Sequence, residues 1–325
     1  MQRRMMAAAA VLAVLLPGAV MAQSGNGADW PAKPVRLLVG SAPGGGTDAM
    51  ARAVADRLGP LLKQPVIVEN KPGVSNTLAA DVTAKSTDGH TMVMGVVTAH
   101  AIAPHLLKLN YDNNKDLVPV AFVGMVPNVL IVTNGLAAKS VPELVTLAKK
   151  DPGHVNFASS GTGSTQHIAA EMFKDAAGID IVHVPYKGSS AALVDLVSGQ
   201  VQMSFDTMPS VIGQIKNGKL RALAVTSPKR NAQLPNVPTM AEAGLPAVEI
   251  GAWYGVYMPA STPKAVQQRV NDEVNKVLAM PETKARLEAV GAELTPMTQA
   301  DFAAFHSAEF KRFGDIIRKN NIKID

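Results

Sequence analysis

Short apolar, β-branched runs recur along this chain, and between them lie segments with the hydrophobic spacing of helices. The runs fall at 35–39 (VRLLV), 66–68, 91–97, 129–132, 155–158, 181–184, 201–205 and 220–225. Most lack polar alternation, the pattern of strands buried on both faces. In the first helical segment Met50, Val54 and Leu58 stand at i, i+4 and i+8, and Gly59-Pro60 is expected to end it. Another starts near Ser190, carries Leu193, Val194 and Val197 on one face and stops at Gly199. A third has Pro209 near its start, Val211, Ile212 and Ile215 inside and Gly218 after it. Such alternation predicts an α/β fold with largely parallel sheets. It is interrupted twice. Around 118–133 two strand-like runs follow one another without a helix, and 251–259 (GAWYGVYMP) reads as an isolated strand before a purely helical tail. We read these as crossings between two domains: a discontinuous first domain, 27–125 plus 256–325, and an inserted second domain, 126–255.

The N-terminus reads as a secretory leader: Arg3 and Arg4, an apolar run from Ala7 to Leu16, and small residues (VMA) at 20–22. Pro17 and Gly18 interrupt the run, which is too short to span a bilayer comfortably, so cleavage near Ala22 and a periplasmic protein are expected. Residues 23–30 form a short lead. Removing the leader takes away two arginines and no acids, so the net charge falls from +5 to +3. The remaining charge is dispersed, which excludes a nucleic-acid partner. The absence of cysteine fits an oxidising compartment and excludes thiol chemistry.

At 41–48 the chain reads SAPGGGTD, a strand-to-helix turn with three consecutive glycines. Glycine admits close approach to the main chain, and a helix entrance offers unpaired N–H groups, so the turn suits an anion. It lacks the lysine of a phosphate loop and the spacing of a dinucleotide fingerprint, and Asp48 would repel a polyphosphate. A carboxylate fits better; taken alone, a tight turn that binds nothing explains the loop as well. A second entrance of the same kind follows 155–158: every residue from Ser159 to Thr165 is Ser, Thr or Gly. Ligands of open α/β sheets bind beyond the carboxyl ends of the strands. Two such loops, one per domain, predict a cleft that closes on a small polar anion.

Other readings compete. Ser164 or Ser160 with His167 could serve a secreted serine hydrolase, but there is no GxSxG motif, and Ser164 shares the first helical turn with His167. A histidine that ties the loop down is the simpler role for His167. No histidine spacing suits a metal, and no cofactor is expected. Lys187 and Tyr186 either approach an acidic ligand or close a strand at the surface. Asp206 ends the 201–205 run as a helix-capping acid or a site residue. Trp253, Tyr254 and Tyr257 wall the pocket or fill core.

Taken in order, these pieces resemble a known family. APGGGTD, VENKPG, ASSGTGSTQH, VHVPYKG, GQVQMSFD, LRALAVTS, VPTMAEAG and PASTP, behind a secretory leader, are together similar to the Bug family of periplasmic receptors associated with tripartite tricarboxylate transporters. The likeness runs from residue 33 to about 323. It implies a two-domain, Venus-flytrap periplasmic-binding-protein fold, type II-like, without enzymatic activity. The implied ligand is a small organic acid or related polar solute, held by main-chain groups and water and passed to membrane transporter subunits or a sensor kinase by a monomeric receptor. The family's roles fall on Pro43, Gly44, Gly45, Thr47 and Asp48, and on Ser160, Gly161, Ser164 and Thr165 opposite; Ser41, Asn76, Thr98, His167 and Asp206 complete the candidate ligand-binding set. This chain departs from the pattern in three places. Gly40 and Ser41 replace a Pro-Phe pair, VSNT at 74–77 displaces an Asn to Asn76, and Thr207 follows Asp206 where Asn is usual. Loss of the aromatic is expected to enlarge or soften the pocket.

Overall fold

A computed structural model describes residues 29–44 and 46–323. The leader, its cleavage point at Ala22, most of the lead that follows it, and Gly45 lie outside the described residues. Among the described residues nine strands form, in chain order, β1 (Val35–Val39), β2 (Val66–Asn70), β3 (Thr91–Val96), β4 (Leu117–Thr133), β5 (Asn156–Ser159), β6 (Val182–Pro185), β7 (Met203–Thr207), β8 (Leu220–Val225) and β9 (Gly251–Pro259). The helices are α1 (Gly46–Leu62), α2 (Thr77–Ala84), α3 (Ala103–Leu106), α4 (Val141–Lys150), α5 (Thr165–Ala177), α6 (Ser189–Ser198), α7 (Met208–Lys216), α8 (Lys264–Ala279), α9 (Pro281–Ala289) and α10 (Gln299–Lys319). Among the described residues no helix is long and apolar enough to cross a membrane.

Two sheets share one strand. The first runs β2-β1-β3-β9-β4 and the second β4-β7-β5-β6, with β8 also on β4. Residues 117–127 of β4 pair with β9, and residues 128–133 pair with β7 and β8. The two strand-like runs expected around 118–133 are therefore one strand of 17 residues. Its register shifts between Pro119 and Ala121 and again between Phe122 and Gly124, which lets so long a strand bend from one sheet into the other. The sheets are also less parallel than expected. β1 pairs parallel with β2 and β3, and β5 with β6 and β7, but every pairing of β4 and β9 is antiparallel. The two strands run opposite ways because the chain leaves the first sheet along β4 and re-enters it along β9.

The return from the second sheet is fastened at Thr226. Its N–H donates to the Asn128 carbonyl at 2.9 Å, and its carbonyl accepts the Ile250 N–H at 3.2 Å. α1 runs past the expected stop at Gly59-Pro60 to Leu62. Pro60 sits in the last turn, where its missing N–H costs a single helical bond, and Leu62 behind it is buried in the core. On β9 alternation sorts the aromatics. Trp253 and Tyr257 are fully buried and meet Phe302 of α10 at 6.3 and 5.4 Å, whereas Tyr254 points to the other face. Gly255 lies between them because a Cβ there would strike the Phe302 ring.

Candidate functional site

A cleft of about 780 Å³ lies between the carboxyl ends of the two sets of parallel strands. Its first-sheet side is Ser41–Gly44, Gly46 and Thr47, with Asn76, Val96, Val97 and Thr98. Its second-sheet side is Ser160, Thr165, Gln166, Gly188–Ser190 and Leu193, with Thr207, Pro209 and Ser210; Ala252 and Tyr254 of β9 also line it. None of these residues carries a charge. The openings of α1, α5, α6 and α7 all reach this space. First-turn N–H groups have no intrahelical acceptor, and each helix start carries about half a positive charge. Neither α6 nor α7 uses a side-chain cap. Burial pushes the Tyr254 phenol up to about 12, so it remains a neutral donor.

On the first side Gly44 has φ +82°, a conformation that glycine accepts readily. Its N–H donates to Asp48 Oδ2 at 2.9 Å, and Arg52 Nε reaches the same oxygen at 2.9 Å. Asn70 Nδ2 bridges Asp48 Oδ1 at 2.9 Å and the Ser41 carbonyl at 3.0 Å. Burial would raise the Asp48 carboxyl, but the bonds from Arg52, Gly44 and Asn70 outweigh it and hold the group below its usual range. Asp48 lies beneath the loop and braces it; it does not line the cleft. Ser41, in the place of the family's aromatic, has its hydroxyl shielded from solvent and without a protein partner.

Two of the sequence departures meet in space. A Cβ on residue 40 would come within 2.5 to 2.7 Å of the Asn76 backbone and Cβ. Gly40 thus makes room for the displaced Asn76, which has φ 63° and whose Nδ2 donates to Thr98 Oγ1 at 3.1 Å.

On the second side Ser160, Thr165 and Gln166 line the cleft, while Gly161, Ser164 and His167 lie behind them. Ser164 Oγ caps α5 by accepting the His167 N–H at 3.3 Å. The His167 ring accepts the Gly163 N–H at Nδ1, 3.2 Å away, and stacks on His183 at 3.9 Å. Burial, then His183, lowers its pKa to about 3. The His167 ring therefore ties the loop down and makes no bond to a serine hydroxyl, so neither Ser164 nor Ser160 is paired with it as a nucleophile; the imidazole that meets a serine here is His183, whose Nε2 lies 2.7 Å from the Ser159 hydroxyl. Asp206, 1% exposed, lies beneath Gln166 and Ser189 and also accepts the Thr207 N–H at 2.7 Å. Burial raises its carboxyl, opposed by hydrogen bonds from Gln166, Thr207 and Ser189. Tyr186 Oη turns away to Asp195 at 2.7 Å, and Lys187 is exposed outside the cleft.

Sequence reasoning passed over Gln166, Gly188, Ser189, Ser190, Pro209 and Ser210. The signal was present: KGSS at 187–190 and DTMPS at 206–210 are two more strand-to-helix turns rich in small and hydroxylic residues. Among the described residues no cluster of three or more His, Asp or Glu is placed to hold a metal ion.

Two sheets joined by a shared strand, with an uncharged cleft between facing helix entrances, define a two-domain solute-binding protein of the periplasmic type. The chain belongs to the family described as the tripartite tricarboxylate transporter family receptor, whose profile matches residues 50–322. It is similar to BugT of Bordetella pertussis, 36% identical over 321 residues, 97% of this chain and 98% of that one. Its fold is similar to that of R. palustris Rpa4515 with adipate, at a TM-score of 0.84 and 35% identity over 91% of this chain and 99% of that one. It is also similar to MatC from Rhodopseudomonas palustris with bound malate, at 0.79 and 31%, covering 89% and 100%. Receptors of this family bind solutes, and a hydrolase reading finds no support in any of these relatives.

Proposed function

We propose that this receptor captures a small organic acid, of the class of adipate and malate, between its two sheets. The observation that carries the reading is the convergence of four helix openings on a cleft whose described lining is uncharged. Such a lining gives a carboxylate partial positive charge and N–H donors without an arginine clamp. Ser41, Pro43, Gly44, Thr47, Asn76 and Thr98 meet the ligand from one side and Ser160 and Thr165 from the other, with Gly45 assigned from the family pattern. Asp48, Gly161, Ser164, His167 and Asp206 support these contacts from behind. The domains are those drawn from the sequence, with the first boundary moved to Pro127–Asn128 and the second to Gly251, since residues 117–127 of β4 and the whole of β9 pair within the first sheet. Closure turns about Pro127–Asn128 and Thr226–Ile250. The leader directs the chain to the periplasm and is removed near Ala22. The loaded monomer delivers its solute to membrane transporter subunits or to a sensor kinase, without chemical turnover.

A thermal-shift panel of mono-, di- and tricarboxylates, amino acids and amides tests this. A ligand at a hundredfold excess over Kd stabilises the folded chain by roughly 2.7 kcal/mol. The shift is expected for at least one acid and is lost in Ser190→Trp, which fills the cleft from the first turn of α6. A shift that survives Ser190→Trp, or a panel with no responding acid, overturns the reading.

A further inference from the structure

The buried carboxylate beneath the second-sheet wall decides which way the polar side chains of that wall point. Asp206 collects its hydrogen bonds on one oxygen. Oδ1 accepts from Gln166 Nε2 at 3.0 Å, from the Ser189 hydroxyl at 3.0 Å and from the Thr207 N–H at 2.7 Å. Gln166 Nε2 also donates to Ser189 Oγ at 3.2 Å, and Gln166 Oε1 accepts from the Ser160 hydroxyl at 2.9 Å.

The Thr207 N–H can only donate, so Asp206 Oδ1 stands there as an acceptor. If the Gln166 amide turned over, its Oε1 would face Asp206 Oδ1, two acceptors in contact in a buried place, which is costly. Asp206 therefore fixes the amide orientation and draws the Ser189 proton inward. The Gln166 Nε2 group is then directed at the Asp206 Oδ1–Ser189 Oγ pair, and the Ser160 proton is engaged by Gln166 Oε1. What Ser160 and Ser189 still offer to the cleft is oxygen lone pairs. The donors left on this wall are the hydroxyls of Thr165 and Ser190 and the main-chain N–H groups in the first turns of α5 and α6.

We infer that Asp206 is a positioning residue for specificity. Acting through Gln166, it turns Ser160 and Ser189 into acceptors, so the wall favours an acid that carries an O–H or N–H beside its carboxylate over one that carries carboxylates alone. The inference rests on the reading of the cleft as the carboxylate site.

Malate and succinate differ by one hydroxyl, and succinamate replaces one succinate carboxylate by an amide. Calorimetric titration of these three acids into wild type, Asp206→Asn and Asp206→Ala tests the inference. Wild type is expected to prefer malate and succinamate over succinate by about tenfold, the worth of one hydrogen bond. Asp206→Asn keeps an acceptor oxygen at the Oδ1 position and retains the preference. Asp206→Ala frees the Gln166 amide, and the preference falls to within about threefold. Equal affinities in wild type, or an unchanged preference in Asp206→Ala, overturn the inference. A ligand-free readout separates this from failure of the cleft reading. The Gln166 side-chain amide protons, followed by NMR, exchange slowly with solvent in wild type and Asp206→Asn and rapidly in Asp206→Ala. If no acid binds wild type, the carboxylate site is refuted, and a rapidly exchanging Gln166 amide in wild type independently refutes the role of Asp206.

Discussion

Thr226→Val removes one hydroxyl from the point where the chain crosses between the sheets. Thr226 is 1% exposed. Its Oγ1 accepts the Asn128 N–H at 2.9 Å and reaches the carbonyls of Asn128, at 3.0 Å, and Ile250. A hydroxyl has one proton, and the Asn128 carbonyl already accepts the Thr226 N–H, so the proton belongs to Ile250. Valine keeps the shape and makes neither bond. It leaves the Asn128 N–H and the Ile250 carbonyl buried and unpaired, at about 1–3 kcal/mol each. The added methyl returns about 0.8 kcal/mol. The net loss is about 1–5 kcal/mol, a fall in melting temperature of roughly 2–8 °C for a chain of this size. Circular dichroism melts measure it, with Thr226→Ser as the control that retains the hydroxyl. Amide exchange at Asn128 reports the same bond locally and accelerates only in the valine variant. A valine variant that melts no lower than the serine variant, with Asn128 still protected, refutes the assignment.

Ser164→Ala deletes the cap of α5 and lowers stability by about 1 kcal/mol in urea titration, while hydrolysis of simple esters stays at background before and after the change. Burial lowers the pKa of His167 to about 3 and of His183 to about 4, against about 6.5 in an unfolded chain. The unfolded state therefore takes up protons that the folded state refuses. Stability is complete above about pH 6.5 and declines as the pH falls toward 4; in His183→Phe, whose ring keeps the stack on Phe157, melting curves against pH show a slope shallower by about one proton. Asn128 is fully buried with neither side-chain polar atom partnered, so Asn128→Val is expected to raise the melting temperature by about 2–4 °C, checked in the same melts.

The β-branched runs gave away the strands because a strand buried on both faces must be apolar throughout, and 251–259 was legible to the residue. Strand direction was not legible. Nothing local in VPVAFVGMVPNVLIVT says that its first part will pair with β9, more than a hundred residues later, and that its last part will pair with β7 and β8. The site divides the same way. Its glycines, serines and threonines announce themselves, since only small residues open a strand-to-helix turn toward a ligand, and most of the candidates drawn from them lie on the cleft. Asp48 was read as a contact and Asp206 as a helix-capping acid or a site residue; both carboxylates sit beneath the loops and hold them. Their work depends on partners distant in the chain, Asn70 for Asp48 and Gln166 with Ser189 for Asp206, which no local motif connects. Gly40 and Asn76 were two departures on the page and are one in space, the absent side chain of the first housing the backbone of the second. In a receptor whose cleft offers hydroxyls and main-chain N–H groups rather than charged side chains, the residues proposed to touch the solute are the easiest to find and say least about which solute it is. On the inference drawn from Asp206, selectivity sits a layer deeper, in the buried side chains that hold those groups in one orientation.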